Sequence, residues 1–183
     1  MKRLFSIVSL GVLTGIAVVS MTASADDDQG DRHKGVETVR AWLSGYEEVQ
    51  TGIGAISSPG RGFFRAVIDE EAGTIKYSYT YDGVANITQS HFHFGQHHTS
   101  GSITVFLCTN LAPPAGVPAP QACPPSPGQI SGTITEADII ALPNAGLTKN
   151  FAALVDAIRH EAVYVNLHSQ QFPGGEIRGQ LKH

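Results

Sequence analysis

Thr74-Ile75-Lys76-Tyr77-Ser78-Tyr79-Thr80-Tyr81 alternates without a break. Ile75 and the three tyrosines fall on one parity, Lys76, Ser78 and Thr80 on the other. That is the period of a pleated strand with one face buried and one face wet. Working outward, residues 61–69 have a similar aromatic and branched character. Near the start of the folded part, Val39, Ala41 and Leu43 alternate with Arg40 and Trp42. Residues 102–108, 129–135, 162–168 and 176–181 continue the pattern towards the C-terminus. Short strands at this spacing, punctuated by glycine and with no βαβ alternation, predict an all-β fold, an antiparallel sandwich or barrel.

Two patches break the alternation. Thr135-Glu136-Ala137-Asp138 offers an N-cap with an acid three residues on, which predicts a short helix through Ile140, limited by Pro143. Phe151, Leu154, Val155 and Ile158 stand at i, i+3, i+4 and i+7, which predicts an amphipathic helix over 149–160 in a crossover. Residues 111–128 hold seven of the ten prolines and read as an extended loop. Cys108 and Cys123, the only cysteines, bracket most of it. An even count in an exported chain favours a disulfide, and closing a loop of roughly 15 residues contributes about 3 kcal/mol in the chain-entropy model. A metal thiolate pair is the rival reading, but there is no second pair and no C-x-x-C.

Export is read from the N-terminus. Met1-Lys2-Arg3, the apolar residues 4–19 and Ala23-Ser24-Ala25 have the layout of a signal peptide covering residues 1–25. Residues 26–35 are polar and read as a disordered lead-in, leaving a single domain over 36–183 that would work in the periplasm or outside the cell. The whole chain carries 12 basic and 16 acidic residues, net −4, and the ten basic residues from Arg32 to Lys182 never cluster along the sequence. A nucleic-acid partner is therefore not expected. No run after Ala25 approaches the ~20 apolar residues of a membrane span, so insertion is not expected either.

Four of the eight histidines lie within residues 91–98: His91, His93, His97 and His98. If 90–94 is a strand, His91 and His93 share one face while Phe92 and Phe94 enter the core. Residues 163–168 repeat the logic, with Val163, Val165 and Leu167 on one face and Tyr164, Asn166 and His168 on the other. Were the two strands neighbours, His168 would complete a three-imidazole site for a divalent transition ion, Cu²⁺ or Zn²⁺ and also Fe²⁺. Tyr164 and Asn166 would support it from behind, and His97 and His98 would be additional ligands. The same residues also fit a plain solvated sheet face, with His168 bonded to a turn near residues 172–175. Both methionines, Met1 and Met21, leave with the signal peptide, which counts against a blue-copper site with an axial thioether.

Metal-free catalysis finds little support. There is no G-x-S-x-G elbow, and the adjacent pairs Glu47-Glu48 and Glu70-Glu71 point to opposite faces if they lie in strands. Glu176 and Arg178 share a strand face and read as a structural ion pair, with each other or with neighbours. Three functions stay open: a binding or structural module holding a metal, a dismutase-like redox or hydrolytic metalloenzyme on the same histidines, and an adhesion module for an extracytoplasmic protein through the proline-rich loop.

The ordered series Leu43-Ser44-Gly45-Tyr46-Glu47-Glu48-Val49, Gly60-Arg61-Gly62, His91-Phe92-His93-Phe94-Gly95, Tyr164-Val165-Asn166-Leu167-His168 and Pro173-Gly174-Gly175-Glu176-Ile177-Arg178-Gly179-Gln180-Leu181 resembles the CHRD domain, the module first described in chordin. The resemblance runs from about Trp42 to Leu181. It implies an immunoglobulin-like or Cu/Zn-dismutase-like β-sandwich in an exported protein, and it implies no reaction. The chain departs from the family in having Ser90 where alanine is common, and in its cysteine-bracketed insert.

Overall fold

A computed structural model describes residues 35–50, 53–112 and 115–183. The expected leader (1–25), all but the last residue of the lead-in (26–35) and two prolines of the long loop lie outside them. The expected strands all form, with bounds close to those read from the alternation: β1 Val36–Ser44, β2 Arg61–Asp69, β3 Thr74–Asp82, β4 Ile87–Phe94, β5 Ser102–Thr109, β6 Gly128–Ile134, β7 Val163–Ser169 and β8 Ile177–Gln180. They join in one antiparallel sheet of order β5-β4-β7-β8-β1-β2-β3-β6. The helix α1 covers Phe151–Arg159, and the shorter expected helix is a single 3-10 turn at Glu136–Asp138. Its Thr135 and Asp138 do form the reciprocal cap, but Pro143 opens a second 3-10 turn and does not simply end the first.

The sheet is strongly curled. Three strands separate β2 from β4, so in a flat sheet Phe64 and Phe92 would stand roughly 19 Å apart. Their ring centroids are 5.3 Å apart, edge to face. The curl nearly closes a barrel, because the two outer strands β5 and β6 approach one another. The Tyr77 hydroxyl donates to the Leu107 carbonyl, and Gln121 lies in the gap: its carbonyl accepts from the Thr109 N–H at 2.9 Å while its Nε2 donates to the Ser131 carbonyl at 3.0 Å. Cys108 and Cys123 are bonded, S–S 2.00 Å, so the proline-rich loop returns its end to this gap.

One hydrophobic core fills the curl. Ile75, Tyr77, Tyr79 and Tyr81, the alternating set of β3, are all buried in it, together with Phe64, Phe92, Val105, Leu107, Val163, Val165 and Leu167. A Cβ at Gly132 of β6 would lie 2.9 Å from the Tyr77 ring, so glycine lets that ring pack against the backbone. Helix α1 sits in the long connection from the β6 edge to the interior strand β7. Asn150 caps it by accepting from the Ala153 N–H, and Leu154, Val155 and Ile158 join the core. Arg159 in its last turn pairs with Glu37 and Glu70, tying the helix end to β1 and to the β2–β3 turn. Among the described residues no helix is long and apolar enough to cross a membrane.

Candidate metal centre

β4 and β7 are adjacent and in a register that pairs His91 with Asn166 and His93 with Tyr164. Directly paired residues in antiparallel strands project to the same side, and His168 lies two residues beyond Asn166 on that side. The core takes Phe92, Val165 and Leu167, so the histidines face away from it. They are not solvated, however: His91, His93 and His168 are 0, 7 and 5% exposed. Every residue of β7 is buried, on both faces.

The cover comes from the loops that follow β4 and β7. His93 Nδ1 donates to the Gly101 carbonyl, and His168 Nδ1 donates to the Pro173 carbonyl, both at 2.9 Å. The expected turn at residues 172–175 is thus present, and it binds His168 without displacing it from the cluster. A carbonyl only accepts, so each Nδ1 carries the proton and each Nε2 presents its lone pair. Ligand nitrogens of the three rings lie within 4.8 Å of one another. His91 Nδ1 and Nε2, His93 Nε2 and His168 Nε2 are buried without a hydrogen-bond partner. Burial, with mutual repulsion among the rings, pushes His91 down to about 2; burial pushes His93 down to about 4 and lowers His168. All three rings are neutral at ordinary pH, the state a metal requires.

The supporting residues behave as a frame. Tyr164 stacks on His93, centroids 4.8 Å apart and planes 5° from parallel, and the Arg178 guanidinium carbon stands 3.4 Å from the same tyrosine centroid. The Tyr164 hydroxyl accepts from the Gly101 N–H, which returns the clamp to the loop that holds His93. Ser90, on the core side, donates to the Asn166 carbonyl at 2.6 Å, so the hydroxyl that departs from the family pattern is satisfied. Asn166 Oδ1 is buried and unpartnered beside the rings.

His97 and His98 are not brought to this group. Both are exposed, their rings 4.1 Å apart, with His97 Nε2 3.5 Å from Glu47 Oε2. Glu176 and Arg178, expected to pair with each other or with neighbours, pair with neighbours. Glu176 accepts from Ser58 Oγ at 2.5 Å, while Arg178 donates to the Thr99 and Gln96 carbonyls, so each is paired with a loop and not with the other. Sequence reasoning weighed Glu48 only as half of the adjacent pair Glu47-Glu48 and gave it no place in the site. Its carboxyl is buried in the cover, with Oε1 unpartnered, and burial pushes it up to about 7 despite nearby Arg178. Gly175, at φ +125°, makes the room: a Cβ there would lie 2.5 Å from Glu48 Oε1. Lying in a loop, Glu48 had no periodicity to mark it.

The residues fit a divalent transition ion. Three neutral imidazoles, two of them already oriented through Nδ1, leave four ring nitrogens with no other partner, and each unpaired buried polar atom costs about 1–3 kcal/mol. A tetrahedral Zn–N shell spaces its nitrogens by roughly 3.3 Å, so binding would draw the rings together by up to about 1.5 Å. The chain belongs to the CHRD domain family, whose model matches residues 39–181 and so spans the histidines, Glu48 and Arg178. No curated protein and no solved structure matches the chain.

Proposed function

We propose that this protein is an exported CHRD-domain binding module that holds one divalent transition-metal ion, copper or zinc, on His91, His93 and His168. The observation that carries the reading is the set of buried ring nitrogens with no hydrogen-bond partner. Burial of all three rings favours an ion that is held over one that turns over an incoming substrate. The signal-like residues 1–25 and the disulfide support work outside the cytoplasm, where such a bond persists. The curl that brings Phe64 against Phe92 supports a sandwich-like arrangement of the two halves of the sheet.

Metal titration of chelator-treated protein tests this. One equivalent of Zn²⁺ or Cu²⁺ is expected to raise the melting temperature, since an ion present at 100 times its dissociation constant stabilises by about 2.7 kcal/mol. His168→Asn keeps an amide donor at the Nδ1 position for the Pro173 carbonyl and removes the Nε2 lone pair, so it is expected to fold yet lose the metal-induced shift. Absence of any shift in the wild type, or equal shifts in both proteins, overturns the proposal.

A further inference from the structure

The sheet has a second outward face, on β1, β2 and β3, and register organises it into rows. Isolated and ladder pairings place Lys182 beside Arg40 and Arg40 beside Arg65. Two residues along the strands, Trp42 pairs with Phe63, Phe63 with Thr80 and Thr80 with Gln129. The cationic row and the aromatic row therefore run parallel across the sheet, about 7 Å apart, each step about 4.8 Å. Basic residues that never cluster along the chain thus line up in space.

Both rows conflict with stability. Trp42 is 73% exposed, its ring centroid 4.4 Å from that of Phe63. It stands between a hollow of about 590 Å³ that reaches Arg61, Thr80, Asp82 and Gln129, and one of about 340 Å³ that contains Arg40, Lys182 and His183. The Arg40 and Arg65 guanidinium groups make no ion pair or hydrogen bond among the described residues. Like charges directly opposite on a sheet destabilise it, and this chain is acidic overall, net −4, so acidic partners were available to evolution. A local cost of this kind marks a site shaped for something else.

We propose that this face binds an acidic polysaccharide, a uronate-bearing glycan laid across β8, β1 and β2. Trp42 and Phe63 offer ring faces to the C–H faces of the sugars, and Arg40 and Arg65 take the carboxylates through their planar forks, with Lys182 beside them at 3.9 Å from Glu161 Oε2. Thr80, Gln129 and Asp82 supply donors and acceptors for hydroxyl groups along the same row. An added peptide strand does not fit, because β1, β2 and β3 each have hydrogen-bonded neighbours on both sides. In the larger hollow the Asp82 carboxylate is paired with Arg61, so that end of the face has no net charge and suits hydroxyls better than a phosphodiester chain. The inference uses no feature of the histidine centre and stands or falls apart from it.

Trp42 is the only tryptophan in the sequence, so its emission reports on this face alone. Titration of the purified protein with oligogalacturonate is expected to shift that emission saturably, with affinity falling as salt rises. A neutral cello-oligosaccharide is expected to bind at least about ten-fold more weakly, and R40Q/R65Q to weaken oligogalacturonate binding by about ten-fold, or 1.4 kcal/mol. That variant keeps Trp42 and removes a repulsion, so its melting temperature should hold or rise. An unchanged emission with oligogalacturonate overturns the proposal. So does undiminished binding by the double variant, or tighter binding of an oligothymidylate, which would make the face a nucleic-acid surface.

Discussion

His93 is held on three sides: the Gly101 carbonyl takes its Nδ1 proton, Tyr164 covers its ring, and His168 lies beyond, ring centroids 6.1 Å apart. Burial keeps the histidines neutral, and it also sets how the fold responds to acid. In the unfolded chain these rings take up protons near pH 6.5; in the folded chain His91 waits until about 2 and His93 until about 4, with His168 lowered as well. Their contribution is whole above pH 6.5 and is lost as pH falls towards the folded values. Glu48 has the opposite sign: raised to about 7 by burial, its contribution is whole below its usual 4.5 and lost as pH rises through 7. Between pH 6.5 and 4.5 His91 and His93 outweigh the one carboxyl by roughly one proton, so stability should fall by about 1.4 kcal/mol per pH unit, and the lowered His168 adds to the fall in the same direction. Urea melts of the metal-free protein at pH 7.5, 6 and 5 check this, and a midpoint that stays level or rises on acidification contradicts it. At this scale the parity of His91, His93 and His168 was legible, because a strand period places side chains without knowledge of the rest of the chain. Their burial was not, because alternation says nothing of how the loops after β4 and β7 fold back over the rings, and Glu48 joins them from the far side of the chain.

The strands were legible almost to the residue wherever one face is apolar and the other polar, as in β2 and β3. β7 kept its alternation, but the structure buries both of its faces, so its polar residues signalled a site and not a surface. The long loop was legible as a loop and its ends as a bridge, yet its purpose was not. Asn110 fastens the returning segment by donating to the Ile87 and Cys123 carbonyls and accepting from the Cys123 N–H, each at 3.0 Å. Gln121 then spans the gap between β5 and β6. Reducing the disulfide should therefore loosen this seam more than the rest of the sheet. A loss of about 3 kcal/mol would lower the melting temperature by about 6–12 °C in a chain of this size. Hydrogen exchange should quicken at the Thr109 amide, which donates to Gln121, while amides between β1 and β2 keep their protection. Equal acceleration across the sheet, or none at Thr109, argues against a local seam.

Across the whole molecule, one curled sheet separates two kinds of interior. The concave side gathers the aromatic and branched residues of all eight strands and of α1. The convex side over β4, β7 and β8 carries a second, polar layer in which three imidazoles, Asn166, Tyr164, Arg178 and Glu48 lie buried under loops. An all-β antiparallel class was legible from the period of two, whereas the single curled sheet was not, since pairing order depends on long-range register that alternation does not encode. The family match covers both layers, from Val39 to Leu181. A polar layer this well enclosed, with ring nitrogens left unpaired, is the feature from which the metal reading follows. Anomalous diffraction from crystals grown with Zn²⁺ tests it most directly. The account predicts one strong peak about 2.1 Å from a nitrogen of each of His91, His93 and His168. An empty cluster, or a peak confined to exposed groups such as His97 and Glu47, would contradict it.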